Sequence, residues 1–246
     1  MRRDSKLMAR TKFEATPLFV ENSLILCTPF NEVIALDPGT GTQKWRFDSK
    51  VNLNQRPGNR YVCRGVAYWE DRHAPVQAAC RSRVFMGTND MRVIALDAKT
   101  GTPCADFGEA GEVKLDLGMT LEWPGEMQIT SPPVVARDVV AVGSSIADNR
   151  RTDAPRGTVR AFDVRTGALR WTWDPLIHDG IEAGAANVWA PMSVDENLGL
   201  LFLPTSSPSP DFWGRSEAGQ QRARRFGRGA AGRDRRVGLG LSDRAS

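Results

Sequence analysis

A handful of residues in this chain have the types and surroundings to hold a planar anionic ligand and an ion. Arg64 follows the polar loop VNLNQRPGNRYVC and opens the run RGVAYWE. Its guanidinium fork could pair bidentately with a carboxylate, or it could be a surface arginine. Thr130 is followed by Ser131 and two prolines that stiffen its loop, so its hydroxyl either meets a ligand or caps a turn. Gly143-Ser144-Ser145 allows the backbone to approach a ligand closely. Asp148-Asn149 sets a carboxylate beside an amide oxygen, hard ligands suited to Ca²⁺ or Mg²⁺, or else a plain turn. Trp189 offers a broad flat face for stacking, or belongs to a core. The two histidines, His73 and His178, have no partner pattern and read as loop residues.

The elements that must position these residues repeat. Ala35-Leu36-Asp37 with Thr40-Gly41 and Trp45 recurs as Ala95-Leu96-Asp97 with Thr100-Gly101, and again as Ala161-Phe162-Asp163 with Thr166-Gly167 and Trp171. The aspartates are 60 and 66 residues apart, the length of one blade or layer of a repeat protein. In each copy an apolar strand ends in an Asp that can accept hydrogen bonds from the turn amides, Gly takes the positive-φ position, and the chain reverses into an aromatic strand. A lone hairpin is marginal in water, so the copies must stack.

Taken in order, residues 1–15 read as an extended lead-in. TPLFVEN, SLILCTP, EVIALD and TQKWRFD make a first four-stranded unit. CRGVAYWE, RVFMGTND, RVIALD and a weak fourth strand near Pro103–Phe107 make a second, in which Cys104 or Ala105 replaces the tryptophan. Residues 108–129 read as an inserted loop with one short strand. SPPVVARD, VVAVGSSIAD, GTVRAFD and LRWTWD form the third unit, and VWAPMSVDE with GLLFLPTS begins a fourth.

Composition narrows the classes. No apolar run reaches the ~18 residues that a membrane helix needs, and the N-terminus has no secretory h-region. Cys27, Cys63, Cys80 and Cys104 contain no CxxC pair, which argues against zinc and leaves disulfide pairing open. The net charge of +4 is uneven: residues 215–246 hold nine Arg against three acids, whereas the remaining 214 residues hold 24 basic and 26 acidic side chains. That Arg/Gly/Ala-rich segment is expected to be disordered. It is either a flexible basic tail for acidic surfaces or, as we prefer, a reading-frame-shift product. With few interleaved aromatics, it gives no reason to expect a nucleic-acid partner.

The repeat kernel resembles the tryptophan-docking repeat of quinoprotein dehydrogenases. CRGVAYWE, TSPPVV, GSSIADN, GTVRAFDVRTGALRWTWDP and NVWAPMSVDENLGLLFLPTSSPSPDF, in that order, are similar to the membrane-bound glucose, quinate and shikimate group. The resemblance implies an all-β fold: residues 16–214 as about three and a half four-stranded blades of a nominally eight-bladed β-propeller. It implies pyrroloquinoline quinone (PQQ) as cofactor, met by Arg64, Thr130, Ser144, Ser145 and Trp189. It also implies Ca²⁺ or Mg²⁺ on Asp148 and Asn149, a sugar or polyol substrate, a membrane quinone acceptor, and a site on the periplasmic side of the inner membrane. Arg60 stands where that group often has His. The His-His-Asp stretch that carries the group's general base has no counterpart in this sequence, so no catalytic residue is assigned and the isolated chain is expected to be inactive. The vicinal cysteines of the alcohol-oxidising group are missing too. A non-enzymatic propeller scaffold built on the same repeat is the alternative.

Overall fold

The computed structural model describes residues 5–147, 150–151, 153–176 and 184–209. The basic segment 215–246, His178, and the proposed ion ligands Asp148 and Asn149 lie outside the described residues.

Three four-stranded antiparallel sheets follow one another along the chain, each with strands in sequence order. The first is β1 (Leu18–Val20), β2 (Ser23–Cys27), β3 (Glu32–Leu36) and β4 (Gln43–Asp48). The second is β5 (Ala67–Glu70), β6 (Ser82–Gly87), β7 (Arg92–Asp97) and β8 (Glu112–Lys114). A two-stranded ribbon of β9 (Met127–Gln128) and β12 (Ser145–Ile146) flanks the third sheet, which is β10 (Val134–Ala136), β11 (Val139–Val142), β13 (Val159–Asp163) and β14 (Leu169–Trp173). A hairpin, β15 (Ser193–Asp195) with β16 (Leu200–Phe202), opens a fourth unit. The leading strands are neighbours: β10 lies against β5 on one side and β15 on the other. They therefore form the inner edge of a stack of blades, an all-β partial propeller.

Strand alternation holds the stack together. Val84 and Met86 on β6 join Ile25, Val33 and Ala35 of the first blade in one core. Phe85, between them in sequence, points the other way into a core with Val140, Val142 and Phe162 of the third blade. All of β6 is consequently buried, as a strand sandwiched between two sheets must be.

The repeated turns form as their residue types require. Asp37 Oδ1 accepts from the Thr40 amide at 2.9 Å and Asp163 Oδ1 from the Thr166 amide at 2.9 Å, and Asp97 Oδ1 does the same with Thr100 at 3.0 Å. Gly41, Gly101 and Gly167 have φ of +71°, +73° and +72°. The amide and hydroxyl of Thr40 hold the Asp37 carboxyl below its ordinary range. Trp45 then reaches into the next blade, where its indole donates to the Ala98 carbonyl at 3.2 Å and lies over Gly101.

Three expectations need correction. The lead-in is not simply extended: Ser5–Met8 forms one helical turn, α1, and Thr11 and Thr16 bridge in parallel to Tyr61 and Gly65. The outer strand of the second blade is Glu112–Lys114, not Pro103–Phe107, of which only Pro103 bridges to Leu96. Cys104 is tied to Cys80 by a disulfide, and Phe107 packs on Phe85 in the core, so the chain bulges through 104–111 before pairing resumes. The Gly108 amide within that bulge donates to the Thr166 carbonyl, so backbone docks on the third turn where a tryptophan docks on the second. Lastly, VVAVGSSIAD is not one strand: it breaks after Val142, and Ser145–Ile146 pair with β9 instead.

Candidate functional site

The residues singled out in the sequence come from the segments leading into the inner strands. Arg64 precedes β5, Thr130 precedes β10 and Trp189 precedes β15, so the stacking of the blades delivers all three to one end of the inner edge. Cys63, next to Arg64, is disulfide-bonded to Cys27 at the end of β2. The Arg64 carbonyl accepts from Thr16 at 2.8 Å and its amide donates to the Thr130 carbonyl at 3.1 Å, which pins the backbone on both sides.

The Arg64 side chain joins the cluster together. Nη1 donates to Thr130 Oγ1 at 2.8 Å and to the Trp189 carbonyl at 3.5 Å, and the guanidinium carbon lies 5.2 Å from the centre of the Trp189 ring system. Nη2 is 3.0 Å from Glu14 Oε2. Thr130 is buried, whereas Trp189 is 45% exposed, so indole surface remains open to a ligand.

Ser144 and Ser145 are brought alongside but face different partners. Gly143 packs on Val188, where a Cβ would stand 2.2 Å from the carbonyl oxygen, and Asn187 Nδ2 donates to the Ser144 carbonyl at 2.9 Å. Among the described residues, neither the Ser144 hydroxyl, in a residue only 1% exposed, nor the buried hydroxyl of Ser131 has a hydrogen-bond partner. Orphaned buried hydroxyls of this kind are costly unless something fills them. The Ser145 hydroxyl is instead engaged by Asn59 Nδ2 at 3.3 Å. A guanidinium, an open indole and two unsatisfied hydroxyls fit a planar ligand bearing carboxylates and carbonyl oxygens.

Reasoning from sequence missed Glu14, Ser131, Asn187 and Asn59. Nothing in the spacing of the lead-in marks Glu14; the parallel bridge of Thr16 to Gly65 is what carries it to Arg64. Ser131 and Asn187 sit inside stretches already noted, one residue from Thr130 and two from Trp189. Arg60 is exposed on its loop. Among the described residues no group of three or more His, Cys, Asp or Glu is arranged to hold a metal.

Four-stranded blades stacked by their leading strands, with such a cluster at one end of the inner edge, define part of a β-propeller. The chain belongs to the PQQ family: residues 1–227 match "Glucose/ethanol/alcohol dehydrogenase, beta-propeller domain". It is 34% identical over 224 residues to quinoprotein glucose dehydrogenase A of Acinetobacter calcoaceticus, covering 83% of this chain and 28% of the relative. It is 38% identical over 227 residues to quinate/shikimate dehydrogenase (quinone) of Acinetobacter baylyi, covering 82% and 27%. The fold matches quinohemoprotein alcohol dehydrogenase from Comamonas testosteroni with a TM-score of 0.65 at 24% identity, over 88% of this chain and 32% of that one. The chain thus spans little more than a quarter of the length of these curated relatives.

Proposed function

We propose that this chain forms one side of the cofactor site of a PQQ-dependent dehydrogenase acting on a sugar or polyol. The observation that carries the reading is Arg64, held by Thr130 and Glu14 and stacked on a half-open Trp189, with the unsatisfied Ser144 hydroxyl nearby. When bound, a quinone of this type would supply a two-electron acceptor for oxidation of a carbinol.

The chain's own residues would bind and orient. Arg64 would pair with a cofactor carboxylate, the orientation of its guanidinium already set by Thr130 and Glu14. Trp189 would lie against the ring, and the Ser144 and Ser131 hydroxyls would donate to ring oxygens. Ser145, whose hydroxyl is turned to Asn59, would contribute through its backbone. Glu14 is committed to Arg64 and so would not serve as the proton acceptor, and the isolated chain is expected to bind without turning over. Asp148 and Asn149 would hold Ca²⁺ or Mg²⁺, since the segment that leads to them, Gly143–Ala147, runs beside Asn187 and Val188. A quinone is the acceptor named for one relative, and a membrane quinone is proposed here. Two disulfides suit an oxidising compartment and support a periplasmic location.

Titrating the purified chain with PQQ while following tryptophan fluorescence tests the reading. Saturable quenching that weakens in Arg64→Ala is expected; no quenching, or quenching indifferent to Arg64, would refute it and favour the scaffold alternative. Dye reduction with glucose or quinate by the isolated chain would overturn the expectation of inactivity.

A further inference from the structure

A run of amides, buried except for Asn59, passes behind the candidate site and links the first two blades to the ribbon of β9 and β12. Asn31, in the β2–β3 turn, is 0% exposed, and its Oδ1 accepts from the Asn89 amide at 2.7 Å. Asn89, in the β6–β7 turn, is 2% exposed; its Nδ2 donates to the Pro29 carbonyl at 3.2 Å and its Oδ1 accepts from Gln128 Nε2 at 3.0 Å. Gln128, on β9, is 1% exposed and its Oε1 accepts from the Asn59 amide at 3.5 Å. Asn59 Nδ2 completes the run, donating to Ser145 Oγ at 3.3 Å and the Ile146 carbonyl at 3.2 Å.

The segments carrying Thr130 and Ser144 are tied to this run. Gln128 is two positions before Thr130 and pairs across the ribbon with Ser145, whose neighbour Ser144 carries the unsatisfied hydroxyl. Ile129, between Gln128 and Thr130, donates its amide to the Thr88 carbonyl beside Asn89. Asn59 lies five residues before Arg64. Asn89 and Gln128 use both atoms of their side-chain amides, whereas Asn31 Nδ2 has no partner among the described residues. Buried amides are unfavourable unless paired, and the matched pair of Asn89 and Gln128 specifies one arrangement. An apolar contact would hold the blades together without fixing their height relative to one another, because it is non-directional.

We infer that Asn59, Asn89 and Gln128 are positioning residues, which fix the level of Thr130 and Ser144 relative to Arg64 and so the affinity for the quinone. This rests on the cofactor reading above. The network touches Ser145 through Asn59 and reaches Thr130 through the strand that carries Gln128, so it acts through those residues.

The test uses the purified chain, PQQ itself as the probe, and two variants. Gln128→Met keeps side-chain volume but removes both amide contacts; Asn59→Ala changes an exposed position that holds Ser145 from outside. Far-UV circular dichroism and the unfolding midpoint report folding, and the tryptophan-quenching titration reports affinity. Gln128→Met is expected to raise the Kd for PQQ roughly tenfold while remaining folded, and Asn59→Ala severalfold with an unchanged midpoint. Wild-type affinity in both variants overturns the inference and leaves the cofactor reading intact. If Gln128→Met does not fold, Asn59→Ala decides alone: wild-type affinity in it overturns the inference and a weakened one supports it. A wild-type chain that takes up no PQQ refutes the cofactor reading and this inference together.

Discussion

An alanine at Gly101 would place its methyl carbon 2.5 Å from Cε3 and 2.7 Å from Cδ2 of Trp45, the indole that docks the first blade onto the second. Gly41 holds the matching place in the first turn at nearly the same φ, +71° against +73°, with nothing within 4 Å of the added carbon. The pair separates two effects that usually arrive together. Both substitutions force an L side chain into the left-handed region, at about 1–2 kcal/mol. Only Gly101→Ala also pushes a buried indole off its seat, where overpacking adds about 1–3 kcal/mol and strains the Trp45-to-Ala98 hydrogen bond. Gly41→Ala is therefore expected to lower stability by about 1–2 kcal/mol and Gly101→Ala by about 2–5 kcal/mol. Urea unfolding followed by tryptophan fluorescence measures both, with unchanged m-values as the sign that only stability has moved. Equal losses in the two variants would refute the idea that Trp45 docking, rather than the turn itself, sets the requirement at Gly101.

Arg64→Lys, which keeps the charge and loses the fork, is expected to weaken PQQ binding about tenfold, read from the same quenching titration. Reduction should remove about 3–4 kcal/mol for the Cys27–Cys63 bridge, which closes a separation of 36 residues, seen as a lower unfolding midpoint in reductant. It should also raise the PQQ Kd, because Cys63 adjoins Arg64. The Arg165 guanidinium, hydrogen-bonded to Asp71 across the second and third blades, holds the Asp71 carboxyl down at about 2. A depressed carboxyl stabilises the fold above its unfolded range and loses that contribution as pH falls from about 4 to about 2. Asp71→Asn should therefore flatten the fall of the thermal midpoint over that interval, and parallel curves for the two proteins would count against the ion pair.

The blades could be read in the chain because their cause is local. Asp37, Asp97 and Asp163 accept from amides two or three residues on, and Gly41, Gly101 and Gly167 supply the left-handed turn, so each hairpin is encoded within about ten residues. The second outer strand was misplaced for the opposite reason. Cys104 is drawn to Cys80 and Phe107 to Phe85, and no local pattern announces either contact. The site shows the same division. Arg64, Thr130 and Trp189 stood out by residue type and by resemblance, and they do meet, yet nothing in the spacing of 64, 130 and 189 fixes which atoms face one another. Glu14 was invisible, since it is a residue of an unpatterned lead-in.

By itself, then, the sequence determined an all-β repeat of stacking hairpins and its kinship with quinone-using dehydrogenases, because period-two alternation, turn chemistry and repeated motifs are properties of neighbouring residues. Only the tertiary structure decided that Arg64 takes Thr130 and Glu14 as partners, that the buried Ser144 hydroxyl is left unsatisfied while that of Ser145 is engaged, and that amides from two blades and the β9–β12 ribbon meet behind them. Those facts depend on the register between sheets, which is set by which side chains fill the space between blades and by hydrogen bonds formed between residues dozens of positions apart.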